Sequence, residues 1–150
     1  MAKSYLGNIP NVHIRDYQRS KVYVAEERCL FWRKGIRNIL EESDVQNVAQ
    51  TVAEWAKITC PIIIYDQIPH TTAYATADSM VLPFPRASTL PFLCHELSHV
   101  INYNSNNADH HGKYFVSTYL NVVKHFISME ASIELKKSFK TNHVNFIKPA

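Results

Sequence analysis

The most informative segment of the chain is Thr89-Leu90-Pro91-Phe92-Leu93-Cys94-His95-Glu96-Leu97-Ser98-His99-Val100-Ile101-Asn102-Tyr103. The spacing of its apolar residues predicts an amphipathic helix over about 90–103, which Thr89 or Ser88 can cap at the N-terminus. His95 and His99 are four positions apart. They should therefore stand one turn apart on the same face of this helix.

Two imidazoles placed in this way can hold one zinc ion, with bonds of about 2 Å. Glu96 lies beside His95 at the edge of that face, where its carboxylate can reach a water molecule on the metal without being a ligand. In such an arrangement zinc acidifies the water, and the glutamate takes up a proton and returns it to the leaving group. The pattern therefore predicts Zn²⁺ as the cofactor, His95 and His99 as ligands, and Glu96 as the catalytic base of a hydrolase.

A catalytic zinc ion usually has three protein ligands and one open position, so a third ligand must come from elsewhere in the chain. His111 is the preferred candidate, because it follows a short loop after the helix and precedes Gly112, which allows close approach. The alternative ligands lie in the same loop and in the C-terminal region: Asp109, His110, Glu130 and Glu134. Asp109 could equally orient a ligating imidazole or cap a helix.

Two helices are predicted before the sheet. Asp16 can cap a helix that runs to about Lys34, on which apolar residues recur at helical spacing. A capping box formed by Ser43 and Gln46 opens a second helix, which should stop before Pro61. The apolar faces of the two helices are Val22, Ala25, Cys29, Trp32 and Ile36, and then Val45, Val48, Val52 and Trp55.

A small sheet is predicted between these helices and the stretch quoted above. Residues 61–65 are strongly β-prone and form a candidate central strand, whereas 73–76 and 79–82 are weaker candidates on either side of a turn. A polar loop at 104–109 is followed by a long last helix from about His110. The core-facing stripe of that helix should be Phe115, Tyr119, Val122, Phe126 and Ile133.

This order of elements indicates an α+β fold, in which a small mixed sheet packs against the metal-binding helix and its supporting helices. The length of 150 residues fits a single domain over residues 1–150. Residues 1–13 and 141–150 are expected to be loose arms.

Composition is that of an ordinary globular protein, with 46% hydrophobic and 19% charged residues. The three cysteines are far apart and odd in number, which favours a reducing compartment over a disulfide framework. Neither a signal-like segment nor an apolar run that could cross a bilayer is present in the sequence. A cytoplasmic protein without a membrane partner is therefore expected.

The net charge of +3 is distributed unevenly along the chain. Residues 1–40 hold eight lysines and arginines against three acids, and residues 109–150 hold six against three, whereas residues 41–108 hold two against seven. The basic flanks could meet nucleic acid weakly, but ordinary solvated helix faces explain them, and no nucleic-acid motif accompanies them. DNA binding is therefore not assigned.

The segment His95-Glu96-Leu97-Ser98-His99, followed by His111-Gly112-Lys113-Tyr114-Phe115, resembles SprT-like zincins, in which a third histidine stands in an H-G-x-x-aromatic segment. The chain is more similar to a family of small metallohydrolases of actinobacteria and phages that has no assigned substrate. Members of that family carry segments like Arg15-Asp16-Tyr17-Gln18-Arg19-Ser20-Lys21-Val22-Tyr23 and Val81-Leu82-Pro83-Phe84-Pro85-Arg86-Ala87. The likeness covers scattered blocks from residue 15 to about residue 128.

The resemblance implies a minimal zincin fold, with three zinc ligands and one general base: His95, His99, His111 and Glu96. The chain departs from the metzincin spacing H-E-x-x-H-x-x-G-x-x-H, because Asn102 and Ser105 fill the last two defined places. It also lacks the zinc-ribbon or DNA-binding parts that SprT-like proteases often carry. The likeness supports a metallohydrolase more directly than a peptidase.

A peptide or protein is the expected substrate, because zincins typically bind an extended peptide along an edge strand of their sheet. Residues 79–82 precede the metal-binding helix and are the candidate edge. A group that stabilises the oxyanion is also expected. Four side chains could supply it, and the sequence does not rank them: Tyr74, Tyr103, His110 and Tyr114.

A second hypothesis is a phage virion component built on a zincin scaffold, in which zinc is structural or the activity is vestigial. Its basic arms and long last helix would then bind other virion proteins. The expected location is the cytoplasm of the host cell or, for a phage-encoded protein, the virion. The intact His-Glu-x-x-His set favours the enzyme over this alternative.

Overall fold

The computed structural model describes residues 16–67 and 72–148, so the arm predicted at residues 1–13 lies outside the described residues. The described part has six helices and a three-stranded sheet, which confirms an α+β architecture. None of these helices combines the length and the apolar character needed to cross a membrane. In chain order the elements are α1 (Arg19–Glu27), α2 (Leu30–Gly35), α3 (Glu42–Ala56), β1 (Ile62–Asp66), β2 (Tyr74–Ala75), β3 (Ser79–Pro83), α4 (Leu90–Tyr103), α5 (Lys113–Phe126) and α6 (Met129–Thr141).

The sheet has the strand order β1-β3-β2, with β1 parallel to β3 and β2 antiparallel to it. The predictions that 61–65 is the central strand and 79–82 the edge are therefore both wrong. All five residues of β3 are buried, whereas Ile62 of β1 is 68% exposed. The physical reason is that β propensity identifies a strand but does not specify its neighbours. The short turn after β2 brings β2 against β3, and a segment of six residues then connects β3 to α4.

The helix predicted over residues 16–34 is divided into α1 and α2. Cys29 has an extended backbone conformation, with φ −87° and ψ 136°. The carboxylate of Glu134 accepts the backbone N–H groups of Leu30 at 2.6 Å and Phe31 at 3.2 Å. A side chain from α6 thus caps α2, which a local sequence pattern could not indicate.

The side-chain caps predicted for α1, α3 and α4 are wrong, although the bounds of α4 agree with the prediction. Asp16 lies before α1, but its carboxylate binds a histidine ring instead of the helix backbone. The N-cap position of α3 is Glu41, not Ser43. Thr89 occupies the N-cap position of α4 with an extended backbone, yet its buried hydroxyl makes no capping hydrogen bond.

The long last helix predicted from His110 is divided into α5 and α6. Ser128 starts α6, because its hydroxyl accepts the N–H of Ala131 at 3.0 Å. The change of direction places Ile133 on the surface, 60% exposed, and removes it from the predicted core stripe. The stripe on α5 is nevertheless buried at three positions: Phe115, Tyr119 and Val122.

The C-terminal tail packs against the protein over its described part, contrary to the prediction of a loose arm. Val144 is buried. The backbone N–H of Asn145 donates to Gln18 at 2.6 Å, and that of Ile147 donates to Ser117 at 2.8 Å. The tail therefore ties α1 and α5 together.

Helix α4 lies between two apolar clusters, with ten of its 14 residues buried. One cluster joins it to α1, α5 and α6, and the other joins it to α3 and the sheet. Because both clusters bury apolar residues of α4, the polar side chains of this helix are also removed from bulk water.

Replacing Glu134 with alanine should lower the free energy of unfolding by about 1 kcal/mol, because α2 then loses the acceptor of its first two N–H groups. Chemical denaturation measures the change. Lys137→Ala, at an exposed position of the same helix, should alter stability by less than about 0.5 kcal/mol. Equal effects of the two substitutions would contradict the capping role of Glu134.

Candidate metal centre

Three histidine side chains converge in a buried position between α4 and the loop that precedes α5. The Nε2 atom of His111 lies 3.1 Å from Nε2 of His99 and 3.3 Å from Nε2 of His95. His95 and His99 are one turn apart on α4, as the sequence indicated, and all three rings are buried. The group could hold a metal ion, since each ring offers one nitrogen to a common point.

The loop before α5 turns sharply to present His111. His110 has a positive φ of 55°, which reverses the chain immediately before His111. The Asp109 carboxylate then accepts two backbone N–H groups of the first turn of α5, at 2.8 and 3.0 Å. A Cβ at Gly112 would collide with that carboxylate. Gly112 is therefore needed so that Asp109 can fold over the start of the helix.

Carboxylates contact two of the imidazoles at Nδ1, on the side of the ring away from the common point. Oε2 of Glu26 lies 2.5 Å from Nδ1 of His95, and Oδ2 of Asp16 lies 2.7 Å from Nδ1 of His111. Glu26 also accepts the hydroxyl of Tyr119 at 2.5 Å. These contacts place a proton on each Nδ1 atom and leave the Nε2 lone pairs directed towards the common point.

Nitrogen lone pairs that face each other at this distance repel unless a cation lies between them. In their neutral forms, the rings of His95 and His111 both present acceptor atoms to the centre, because the carboxylates hold the proton on Nδ1. Burial, reinforced by His111 and then His95, holds the pKa of His99 well below its usual range, so this ring is neutral near pH 7. Burial lowers the pKa of His95, but the Glu26 carboxylate outweighs burial and raises it overall. Three imidazoles, two of them supported by carboxylates, fit a first-row transition metal ion, which binds their deprotonated Nε2 atoms.

Glu96 follows His95 on α4, and its side chain is also buried. Burial raises the pKa of Glu96 to about 7, although His95 acts in the opposite direction. A carboxyl group that titrates near neutral pH can both accept and return a proton. Its position beside the three rings therefore gives the centre a potential acid–base group.

Two neighbouring cavities meet at Glu96. The first, of about 230 Å³, is named the polar cavity for the polar side chains in its lining, which include Arg19, His99 and His111. The second, of about 350 Å³, is mainly apolar and lies against Trp32, Ile36 and Phe92. Both cavities are lined in addition by Tyr23, Thr72, Ala73 and Glu96. A ligand at the metal centre could therefore extend into either cavity.

The remaining candidates for ligation are not part of the group of three histidines. Glu134 binds the backbone of α2, Glu130 is exposed on α6, and Asp109 caps α5. His110 Nδ1 faces the hydroxyl of Tyr103 at 3.2 Å. Of the four residues considered for oxyanion stabilisation, three line the polar cavity, namely Tyr74, Tyr103 and His110. Tyr114 does not line it.

No family model, curated protein or solved structure matches this chain. The chemistry of the centre must therefore be inferred from its donors and their surroundings. Three buried imidazoles, two supporting carboxylates and one further buried carboxyl form a centre that can bind a metal ion and place a base beside it.

A stripe of polar residues before and along α1 was not predicted from the sequence. Asp16, Arg19, Tyr23 and Glu26 recur at intervals of three and four, so they share one face. Asp16 and Glu26 hold the rings, whereas Arg19 and Tyr23 line the polar cavity. A polar stripe opposite the apolar stripe was the available signal, but solvated helix faces show the same pattern.

Glu26→Gln should weaken Zn²⁺ affinity by about 10–100-fold, because a neutral amide holds the His95 ring and its Nδ1 proton less strongly. Competition with a chromophoric chelator measures the affinity. Glu27→Gln, at the exposed neighbouring position, is the matched control and should bind zinc like the wild type. Unchanged affinity in a folded Glu26→Gln protein would show that this carboxylate does not support the centre.

Proposed function

We propose that the chain is a zinc-dependent hydrolase whose substrate is a peptide or protein. One observation carries this proposal: the buried carboxyl of Glu96 adjoins a cluster of three histidines and faces cavities that can admit a ligand. The sequence resemblance to minimal zincins points in the same direction. It also favours the enzyme over a purely structural virion component.

Zinc is the metal that this donor set suits best, because three histidines and one open position are typical of its catalytic sites. His95, His99 and His111 would hold the ion, and Glu26 and Asp16 would orient two of these rings. When bound, zinc supplies Lewis acidity, which polarises a carbonyl group and lowers the pKa of water.

Glu96 acts as the general base and then as the general acid in this proposal. Its carboxylate accepts a proton from the attacking water as the new C–O bond forms. It then gives that proton to the amine nitrogen as the C–N bond breaks, which releases one carboxylate product and one amine. Arg19, Tyr23 and Tyr103 line the same cavity and provide polar side chains for the oxyanion.

The polar cavity is also lined by an edge strand of the sheet, with which an extended peptide could pair as an additional strand. Strand β2 pairs with β3 on one side, and its two residues, Tyr74 and Ala75, line the cavity. An extended substrate can bind such an edge through main-chain hydrogen bonds. This role is assigned to β2 instead of residues 79–82, which form the central strand.

The apolar cavity provides a place for one side chain of the substrate. It adjoins Glu96, so a residue in it would lie close to the bond that is cleaved. Trp32, Ile36 and Phe92 make its surface suitable for a bulky apolar group. We therefore propose that substrates with leucine or phenylalanine next to the scissile bond are preferred.

Glu96→Gln should keep the zinc content of the wild type but lose hydrolysis of a peptide library by at least about a hundredfold, because the amide cannot accept the proton. Metal analysis and mass spectrometry of cleavage products provide the two measurements. His111→Ala is the contrasting variant and should lose both metal and activity. Cleavage that survives in the Glu96 variant, or full zinc content in the His111 variant, would refute the respective role.

Ile36→Glu should reduce cleavage beside leucine or phenylalanine by about tenfold relative to cleavage beside alanine, because it introduces a charge into the apolar cavity. The same peptide library measures this ratio. Ile39→Glu, at a position 46% exposed and outside the cavity, should leave it unchanged. A ratio that is equal in both variants would show that the cavity does not select the side chain.

A further inference from the structure

A second groove, of about 540 Å³, lies on α5, α6 and the C-terminal segment, and it shares no lining residue with the cavities at the metal centre. On α6 its lining follows one helical face, with Met129, Ser132, Ile133 and Lys136 at positions i, i+3, i+4 and i+7. A face of α5 with the same spacing ends at Lys124. The third wall is the segment 146–148.

The groove is preformed, because its third wall is held by specific contacts. The N–H of Ile147 donates to the Ser117 hydroxyl at 2.8 Å. The ammonium group of Lys136 lies 5.6 Å from the centre of the Phe146 ring. A ligand would therefore meet an ordered surface and lose little free energy in arranging it.

Several apolar side chains that the described part of the chain leaves exposed line the groove. Met129, Ile133 and Ile147 are 48%, 60% and 43% exposed, and all three line it. Single exposed apolar residues are ordinary, but several in one concavity are characteristic of an interaction site.

All the charged side chains that line the groove are positive. Each wall contributes one lysine, namely Lys124, Lys136 and Lys148, and none of the lining side chains is acidic. Two of the three acids in residues 109–150, Asp109 and Glu134, accept backbone N–H groups elsewhere. An occupant that complements the groove must therefore combine apolar and acidic side chains.

We propose that this groove binds an acidic amphipathic helix of a partner protein. Apolar side chains of that helix at i, i+3 or i+4 and i+7 would enter the groove, and its flanking carboxylates would pair with the three lysines. The inference does not depend on the proposed hydrolase activity, because the groove is separate from the metal centre.

Charge also distinguishes this occupant from the other possibilities. The chain's own first fifteen residues contain Lys3 and Arg15 and no acid, so they do not complement the lysines. A second copy related by a two-fold axis would bring the same basic groove into contact with itself. An anionic bilayer has the required charge, but its surface is flat on this scale and would not fill a concave groove.

The probe is a fluorescent helical peptide of about 18 residues, built of leucine at i, i+3, i+4 and i+7 positions and glutamate elsewhere. Fluorescence anisotropy should show saturable binding to the full chain. A peptide of the same pattern with lysine in place of glutamate should bind at least about tenfold more weakly. Ile133→Asp should reduce binding of the acidic peptide by about tenfold or more.

Ile39→Asp places the same charge at another exposed isoleucine outside the groove and should bind the peptide like the wild type. The proposal is overturned if the acidic peptide does not bind, or if binding is insensitive to Ile133→Asp. It is also overturned if phosphatidylglycerol vesicles bind in its place, or if Ile133→Asp abolishes self-association of the chain in sedimentation experiments. Those two results would identify a membrane or a second copy as the occupant.

Discussion

The buried carboxylate of Glu26 is the contact on which the candidate metal centre depends, because it joins three helices at one point. A single oxygen atom lies 2.5 Å from both Nδ1 of His95 and the hydroxyl of Tyr119, so α1, α4 and α5 meet there. A buried carboxylate without partners would cost on the order of several kcal/mol. Two donors offset that cost only when all three helices are in place, and the position of the His95 ring therefore depends on the packing of these helices.

Because Glu26 fixes α1, the other polar residues of its stripe lie close to the histidine rings and the polar cavity. Asp16 reaches the His111 ring, while Arg19 and Tyr23 face the polar cavity. The N-terminal helix thus orients and surrounds the rings, whereas α4 and the following loop provide the rings themselves. This division explains why α1 has polar residues on the face that is turned towards the three rings and the polar cavity.

Separation along the chain explains how much could be predicted from the sequence. The three histidines lie within 16 positions of one another, so local spacing was enough to group them. Glu26 is 69 positions from His95, and Asp16 is separated by 95 positions from its histidine, and no local pattern connects such pairs. The bounds of α4 were predicted for the same local reason. The break before α2 and the strand order were not, because they depend on Glu134 and on the pairing of β3 with both of its neighbours.

The candidate metal centre also affects the stability of the fold, because its polar atoms are buried where α4 packs against its neighbours. The Nδ1 atom of His99 is buried without a hydrogen-bond partner, and the Nε2 atoms of all three rings face each other. The facing Nε2 lone pairs are unfavourable in a buried site unless a cation lies between them, whereas Nδ1 of His99 is the other nitrogen of its ring and gains no partner from such an ion. A metal ion held here would therefore contribute to folding as well as to chemistry, because the unfolded chain presents no preformed site for it. The fold tolerates this local cost because the apolar clusters on both sides of α4 stabilise the helix independently of the three rings.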